Sequence, residues 1–188
     1  MILIIYAHPG EGHCSFILEE TKACLSRDKE NFEVLDLYKM GFDPVLPRKE
    51  HNTSGKGIPD MHIAKVQEKI KKAKTMIFIY PVWWGTMPAI MKGFFDRVFT
   101  SGFAFKYTNK MPQGLLKDKR AIVLATSGAP AILNNIGFAN KALQGIKSDI
   151  LEWCGIRTKL FVFGSALDPE KSMPGLSKFV RESLDKGL

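Results

Sequence analysis

Two adjacent tryptophans stand between two prolines in Pro81-Val82-Trp83-Trp84-Gly85-Thr86-Met87-Pro88. An indole joins a large flat apolar face to a polar edge, so a pair on one loop suits the stacking of a planar ring system. Packing of one of them into the core is the competing reading. Proline carries no N–H, which leaves the amides of Val82, Trp83 and Trp84 as donors for ring heteroatoms. A second segment, His8-Pro9-Gly10-Glu11-Gly12-His13-Cys14-Ser15-Phe16, places glycines ahead of an apolar-periodic stretch. Free amides at a helix start, aided by the helix dipole, bind phosphate, and Ser15 and His8 add side-chain donors. Other readings of this segment stay open. Gly10-x-Gly12-x-x-Ser15 falls one residue short of a dinucleotide fingerprint, with Asp36 lying 24 residues past Gly12; His8 and His13 are potential metal ligands without an evident third; and a plain glycine-rich turn needs no ligand. A third segment, Thr126-Ser127-Gly128-Ala129-Pro130, offers hydroxyls and amides that alone describe an ordinary turn.

Together the three segments supply a phosphate seat, an aromatic wall and a set of polar donors. A phosphorylated, planar, heteroaromatic cofactor fits them, and flavin mononucleotide (FMN) is the simplest candidate. FAD is possible in principle, but the sequence offers no evident adenine site.

The surrounding pattern explains how these loops come together. Continuous apolar runs at residues 1–6, 76–80 and 121–125 read as strands buried on both faces, and residues 32–37 and 159–163 as two more. Helical periodicity marks residues 15–26, with Ser15 as N-cap, then 61–74, 89–99 after Pro88, 138–153 and 175–186. Residues 41–60, with three prolines and three glycines, read as a long loop. Five strands alternating with helices give an α/β doubly wound fold with a mostly parallel sheet covered on both faces. In such sheets ligands bind beyond the carboxyl ends of the strands, which is where all three segments fall.

Composition bounds the rest. At 188 residues, 45% hydrophobic and 24% charged, the chain is one ordinary domain spanning 1–188 and long enough to bury its own core. Cys14, Cys24 and Cys154 form no C-x-x-C pair and read as reduced, buried thiols of a cytoplasmic protein. No signal peptide or membrane span is evident, and the uncharged stretch over residues 75–91 is broken by Pro81, Gly85 and Pro88. The net charge of +8 suits either nucleic acid or a multiply phosphorylated small molecule. The basic residues are dispersed, and their densest group (Lys65, Lys69, Lys71, Lys72, Lys74) lacks interleaved aromatics, so nucleic acid is the weaker partner.

The motifs Tyr6-Ala7-His8-Pro9, Ser15-Phe16, Asp36-Leu37-Tyr38, Phe42-Asp43-Pro44, Pro81-x-x-Trp84, Pro88 through Val98 and Phe103-Ala104-Phe105 resemble the NAD(P)H:quinone oxidoreductase (DT-diaphorase-like) family. They are also similar to the flavin-containing ancillary proteins of bacterial potassium-efflux systems. The resemblance implies a flavodoxin-like fold with sheet order 2-1-3-4-5 and a homodimer with flavin at the subunit interface. It places the phosphate and ribityl end at His8, Ser15 and Phe16, and the isoalloxazine among Pro81, Val82, Trp83 and Trp84. Thr126, Ser127 and Gly128 fall on its pyrimidine side, and Trp84, with Phe105 and Tyr107 from the partner subunit, lines the substrate pocket. The implied activity is two-electron transfer from NAD(P)H through flavin to a quinone, by a ping-pong route with no catalytic nucleophile. A nitro- or azo-reductase and a regulatory flavoprotein docked on a membrane transporter are the alternatives. Family members often carry Thr-Thr-Gly-Gly in the third loop with a Tyr and a His beyond it. Here the loop is Thr126-Ser127-Gly128-Ala129, and residues 130–139 contain neither Tyr nor His.

Overall fold

The computed structural model describes residues 1–51, 59–130 and 143–188. Strand β1 (Ile2–Tyr6) leads into helix α1 (His13–Arg27), then β2 (Phe32–Asp36), α2 (Met61–Lys72), β3 (Thr75–Pro81) and α3 (Ala89–Val98). A hairpin, β4 (Phe105–Thr108) and β5 (Met111–Gly114), precedes β6 (Arg120–Thr126). Helix α4 (Gly145–Glu152), β7 (Arg157–Phe163) and α5 (Pro169–Gly187) complete the order.

The five long strands form one parallel sheet in the order β2-β1-β3-β6-β7, and β4 and β5 form a separate two-stranded sheet. Counting only strands of the large sheet, the order is second, first, third, fourth, fifth; the unexpected hairpin accounts for the different numbering. The apolar runs resolve into two faces with the two-residue period of a strand. Leu3, Ile5 and Ala7 join Phe78 and Val123 beneath α2 and α3, which contribute Ile63, Val66, Ile70, Met91, Phe94 and Phe95. Ile2, Ile4 and Tyr6 join Ile77, Ile79 and Leu124 beneath α1 and α5, through Ile17, Leu18, Leu176 and Val180. A sheet buried on both sides has no polar positions in its central strands, hence the unbroken apolar runs.

Several boundaries differ from the sequence reading. Helix α1 begins at His13 with Gly12 as N-cap. Ser15 sits inside the first turn, where its Oγ accepts from the Gly12 N–H and donates to the Gly12 carbonyl, both at 2.9 Å. Strand β7 starts two residues earlier than expected and α5 starts at Pro169, capped by the Asp168 side chain on the Glu170 amide. Of the helix expected over 138–153, residues 138–142 lie outside the described residues; the described part winds with the wide i→i+5 repeat over Gly145–Glu152.

The long loop after β2 is pinned to α3 by the family-like motifs themselves. Arg97 donates through Nε and Nη2 to both carboxylate oxygens of Glu50, at 3.0 and 2.8 Å, and through Nη1 to the Asp43 carbonyl at 2.6 Å. Its guanidinium lies over the Phe42 ring, which packs on Phe94. Gly93 makes room for this: a Cβ there would sit 2.3 Å from the Pro44 carbonyl oxygen. The Phe42-Asp43-Pro44 and Gly93-to-Arg97 motifs are therefore two halves of one contact, and it fixes α3 directly behind the tryptophan loop.

Candidate functional site

The three segments that the sequence singles out meet at the carboxyl ends of β1, β3 and β6, and each pair of them is in contact. The His8 and Trp83 rings lie 6.2 Å apart, joining the first and second. The Val82 N–H donates to the Thr126 carbonyl at 2.7 Å, joining the second and third. Cys14 Sγ and Thr126 Oγ1 are 3.3 Å apart in a buried contact, joining the first and third.

At the start of α1 the amides of His13, Cys14 and Ser15 have no hydrogen-bond partner in the described structure; the first helical bond is Phe16 N–H to the Gly12 carbonyl. Unpaired amides at the positive end of a fifteen-residue helix are an anion seat. His8 and His13 serve different partners: His8 Nδ1 lies 2.8 Å from the Gly10 carbonyl, while His13 Nε2 contacts Ser172 Oγ on α5. Ser172 donates to the Asp168 carbonyl, so the His13 imidazole is the donor in that pair. Asp36 accepts from the Tyr38 and Lys39 amides and closes the turn after β2.

The tryptophan loop is a tight reversal. Trp83 and Thr86 exchange two backbone hydrogen bonds, at 2.9 and 3.0 Å, around Trp84 and Gly85. Both central residues have left-handed backbone, φ 51° at Trp84 and 75° at Gly85, which makes this a type I′ turn. Gly85 suits that conformation; Trp84 adopts it against the steric preference of an L-residue. The turn lifts Trp84 clear of the protein at 102% exposure, whereas Trp83 is 42% exposed. Neither indole is a core residue.

This geometry corrects one sequence expectation. The Val82 and Trp83 amides are already spent, on Thr126 and Thr86, and among the described residues the amides of Trp84, Gly85 and Met87 have no hydrogen-bond partner. In the third loop the Ser127 amide donates to the Phe163 carbonyl, and the Ala129 amide to Ser127 Oγ at 3.2 Å, while the Gly128 amide has no partner among the described residues. Thr126 and Ser127 are buried. Phe16 is half-buried on α1, and Pro81 is buried at the end of β3. Phe105 and Tyr107 stand on the hairpin, edge to face at 5.9 Å, with Phe105 partly packed on the core and Tyr107 62% exposed.

The family model described as the flavodoxin-like fold matches residues 1–186. The chain belongs to the flavodoxin-like family. Within it, the chain sits among the NAD(P)H:quinone oxidoreductases. A protein of Haemophilus influenzae named as an uncharacterized NAD(P)H oxidoreductase is 33% identical over 167 residues, covering 86% of this chain and 82% of that one. NAD(P)H dehydrogenase (quinone) 1 of Cavia porcellus is 30% identical over 177 residues, covering 82% of this chain and 64% of that enzyme. The chain thus spans just under two thirds of the animal enzyme. Among solved structures, the NAD(P)H:quinone oxidoreductase from Methanothermobacter marburgensis superposes with a TM-score of 0.86 at 26% identity, covering 98% of this chain and 96% of that one.

The residues present fit an FMN. Its phosphate needs several convergent N–H donors, and α1 offers three unpaired ones; its ring needs a flat apolar wall and edge donors, and the two turns leave Trp84, Gly85 and Gly128 amides free beside exposed indoles. Side-chain periodicity alone did not reveal which amides were free, because that depends on which carbonyls the neighbouring strands present.

Proposed function

We propose that residues 1–188 act as one flavin-binding domain that takes FMN and passes reducing equivalents from NAD(P)H to a quinone. The observation that carries this reading is the mutual contact of three loops whose unpaired amides and exposed indoles match the two ends of FMN. The family and the names of its relatives point the same way.

Bound FMN supplies the two-electron chemistry. The chain supplies the rest. The α1 amides and helix dipole hold the phosphate dianion, with His8, Ser15 and Phe16 shaping that end. Pro81, Val82, Trp83 and Trp84 frame the ring, and the amides of Trp84, Gly85 and Gly128 favour negative charge at its polar edge. Thr126 and Ser127 close the floor against water. Among the described residues one phosphate seat stands without a second cradle for an adenylate, which favours FMN over FAD. With the exposed Trp83 and Trp84 leaving the ring seat accessible, nicotinamide and acceptor would enter it in turn, which would give ping-pong kinetics.

In this reading the chain works as a cytoplasmic homodimer in which Phe105 and Tyr107 of the hairpin reach the acceptor pocket of the other copy. Among the described residues no helix is long and apolar enough to cross a membrane. The test is steady-state NAD(P)H oxidation by the FMN-loaded protein with a small quinone. Parallel double-reciprocal lines across quinone concentrations support the proposal. NAD(P)H oxidation that is not accelerated by any quinone overturns it.

A further inference from the structure

Thr126 is the junction of the site. It is the last residue of β6 and is 5% exposed. Its carbonyl accepts the Val82 amide and so holds the tryptophan loop, while its Oγ1 contacts Cys14 on α1. Cys14 is the second residue of α1, is 2% exposed, and its own amide is one of the three unpaired donors at the helix start. The Cys14–Thr126 contact crosses 112 residues of sequence and passes over the sheet, since α1 lies against β3 and β6 as well as α5.

We propose that Cys14 is a positioning residue: its contact with Thr126 sets the span between the phosphate seat at α1 and the ring seat at the tryptophan loop, so that both ends of one flavin are held in register. This rests on the FMN reading above. Each seat has its own backbone anchors, α1 through its helical bonds and the tryptophan loop through the Thr126 carbonyl, and the thiol–hydroxyl contact is the buried link between them. A buried thiol suits this task because it stays neutral: burial pushes Cys14 up to about 12. The link therefore has the same character across the working pH range.

The consequence is specific to ligand length. Loosening the link leaves each seat intact but lets their separation drift, so a ligand that uses both seats loses more than one that uses only the ring seat. The test compares FMN and riboflavin affinities, by flavin fluorescence, for the wild type, Cys14→Ala, Thr126→Val, the double variant and Cys14→Ser. Removing one hydrogen bond predicts about a threefold to tenfold loss in FMN affinity for each single variant. For Cys14→Ala riboflavin affinity stays within about twofold; the double variant loses no more FMN affinity than Thr126→Val alone, and Cys14→Ser recovers most of the loss, because one shared link is broken in each case. Thermal unfolding run alongside identifies any variant that is simply destabilised, and Cys14→Ser then carries the comparison. Equal losses for FMN and riboflavin in Cys14→Ala, or single effects that add in the double variant, overturn the proposal. A wild-type protein that binds neither flavin overturns the FMN reading instead, which keeps the two failures distinct.

Discussion

Replacing Trp84 with alanine separates what this residue does for the fold from what it does for the site. Trp84 is 102% exposed, so its indole removes no apolar area from water on folding. Its backbone sits at φ 51°, and an alanine there meets the same left-handed cost, so the conformational contribution cancels between the two residues. Stability should therefore stay within about 0.5 kcal/mol, a melting shift of about 1–2 °C for a chain of this size. Phe94, 0% exposed, is the contrast: its truncation to alanine should cost about 3–5 kcal/mol and lower the melting temperature by about 6–20 °C. Stacking between aromatic ring systems is worth about 0.5–1.5 kcal/mol beyond area, so Trp84→Ala should weaken FMN about twofold to tenfold while leaving the fold intact. Thermal unfolding by circular dichroism and flavin fluorescence titration on the same samples read both quantities. A melting temperature more than about 5 °C below wild type, or an unchanged FMN affinity, would refute the assignment of Trp84 as a wall held out for the ring.

Glu50→Ala strands the buried Arg97 guanidinium, whose side chain is only 10% exposed, and should cost about 3–5 kcal/mol in urea unfolding; a loss under about 1 kcal/mol would show that the pair is not the clasp of the long loop. For Gly93→Ala, helix propensity alone favours alanine by about 1 kcal/mol. The new Cβ would lie 2.3 to 2.5 Å from backbone and ring atoms of Pro44, so a net loss of about 1–3 kcal/mol is expected, and a more stable variant would contradict the close packing. Burial pushes the Cys14 and Cys154 thiols from 9.0 up to about 12, so the unfolded chain releases these protons first. Stability measured as the urea midpoint should fall as pH rises from about 9 towards 12, and a midpoint that rises over that window would reverse the sign.

Much of the fold was legible because the central strands are buried on both faces: residues 2–6, 76–80 and 121–125 contain no charge to interrupt the signal. The hairpin was not legible, for the opposite reason. Phe105–Thr108 and Met111–Gly114 carry Lys106, Gln113 and Pro112, and their exposed residues share little of the core. Their turn, Asn109 and Lys110, has left-handed backbone at both positions without the glycine that normally announces it. The three loops of the site were found from residue type and position after a strand. Their hydrogen bonding was not, because Val82 loses its amide to a carbonyl on β6 and Ser15 turns back onto Gly12, partners that only the folded chain brings within reach.

The central claim is that the mouth of this sheet holds FMN. Purified protein incubated with an equimolar mixture of FMN and FAD, freed of unbound flavin by gel filtration and then denatured, should release one FMN per chain, identified by mass. Release of no flavin, or of FAD in its place, would contradict the account.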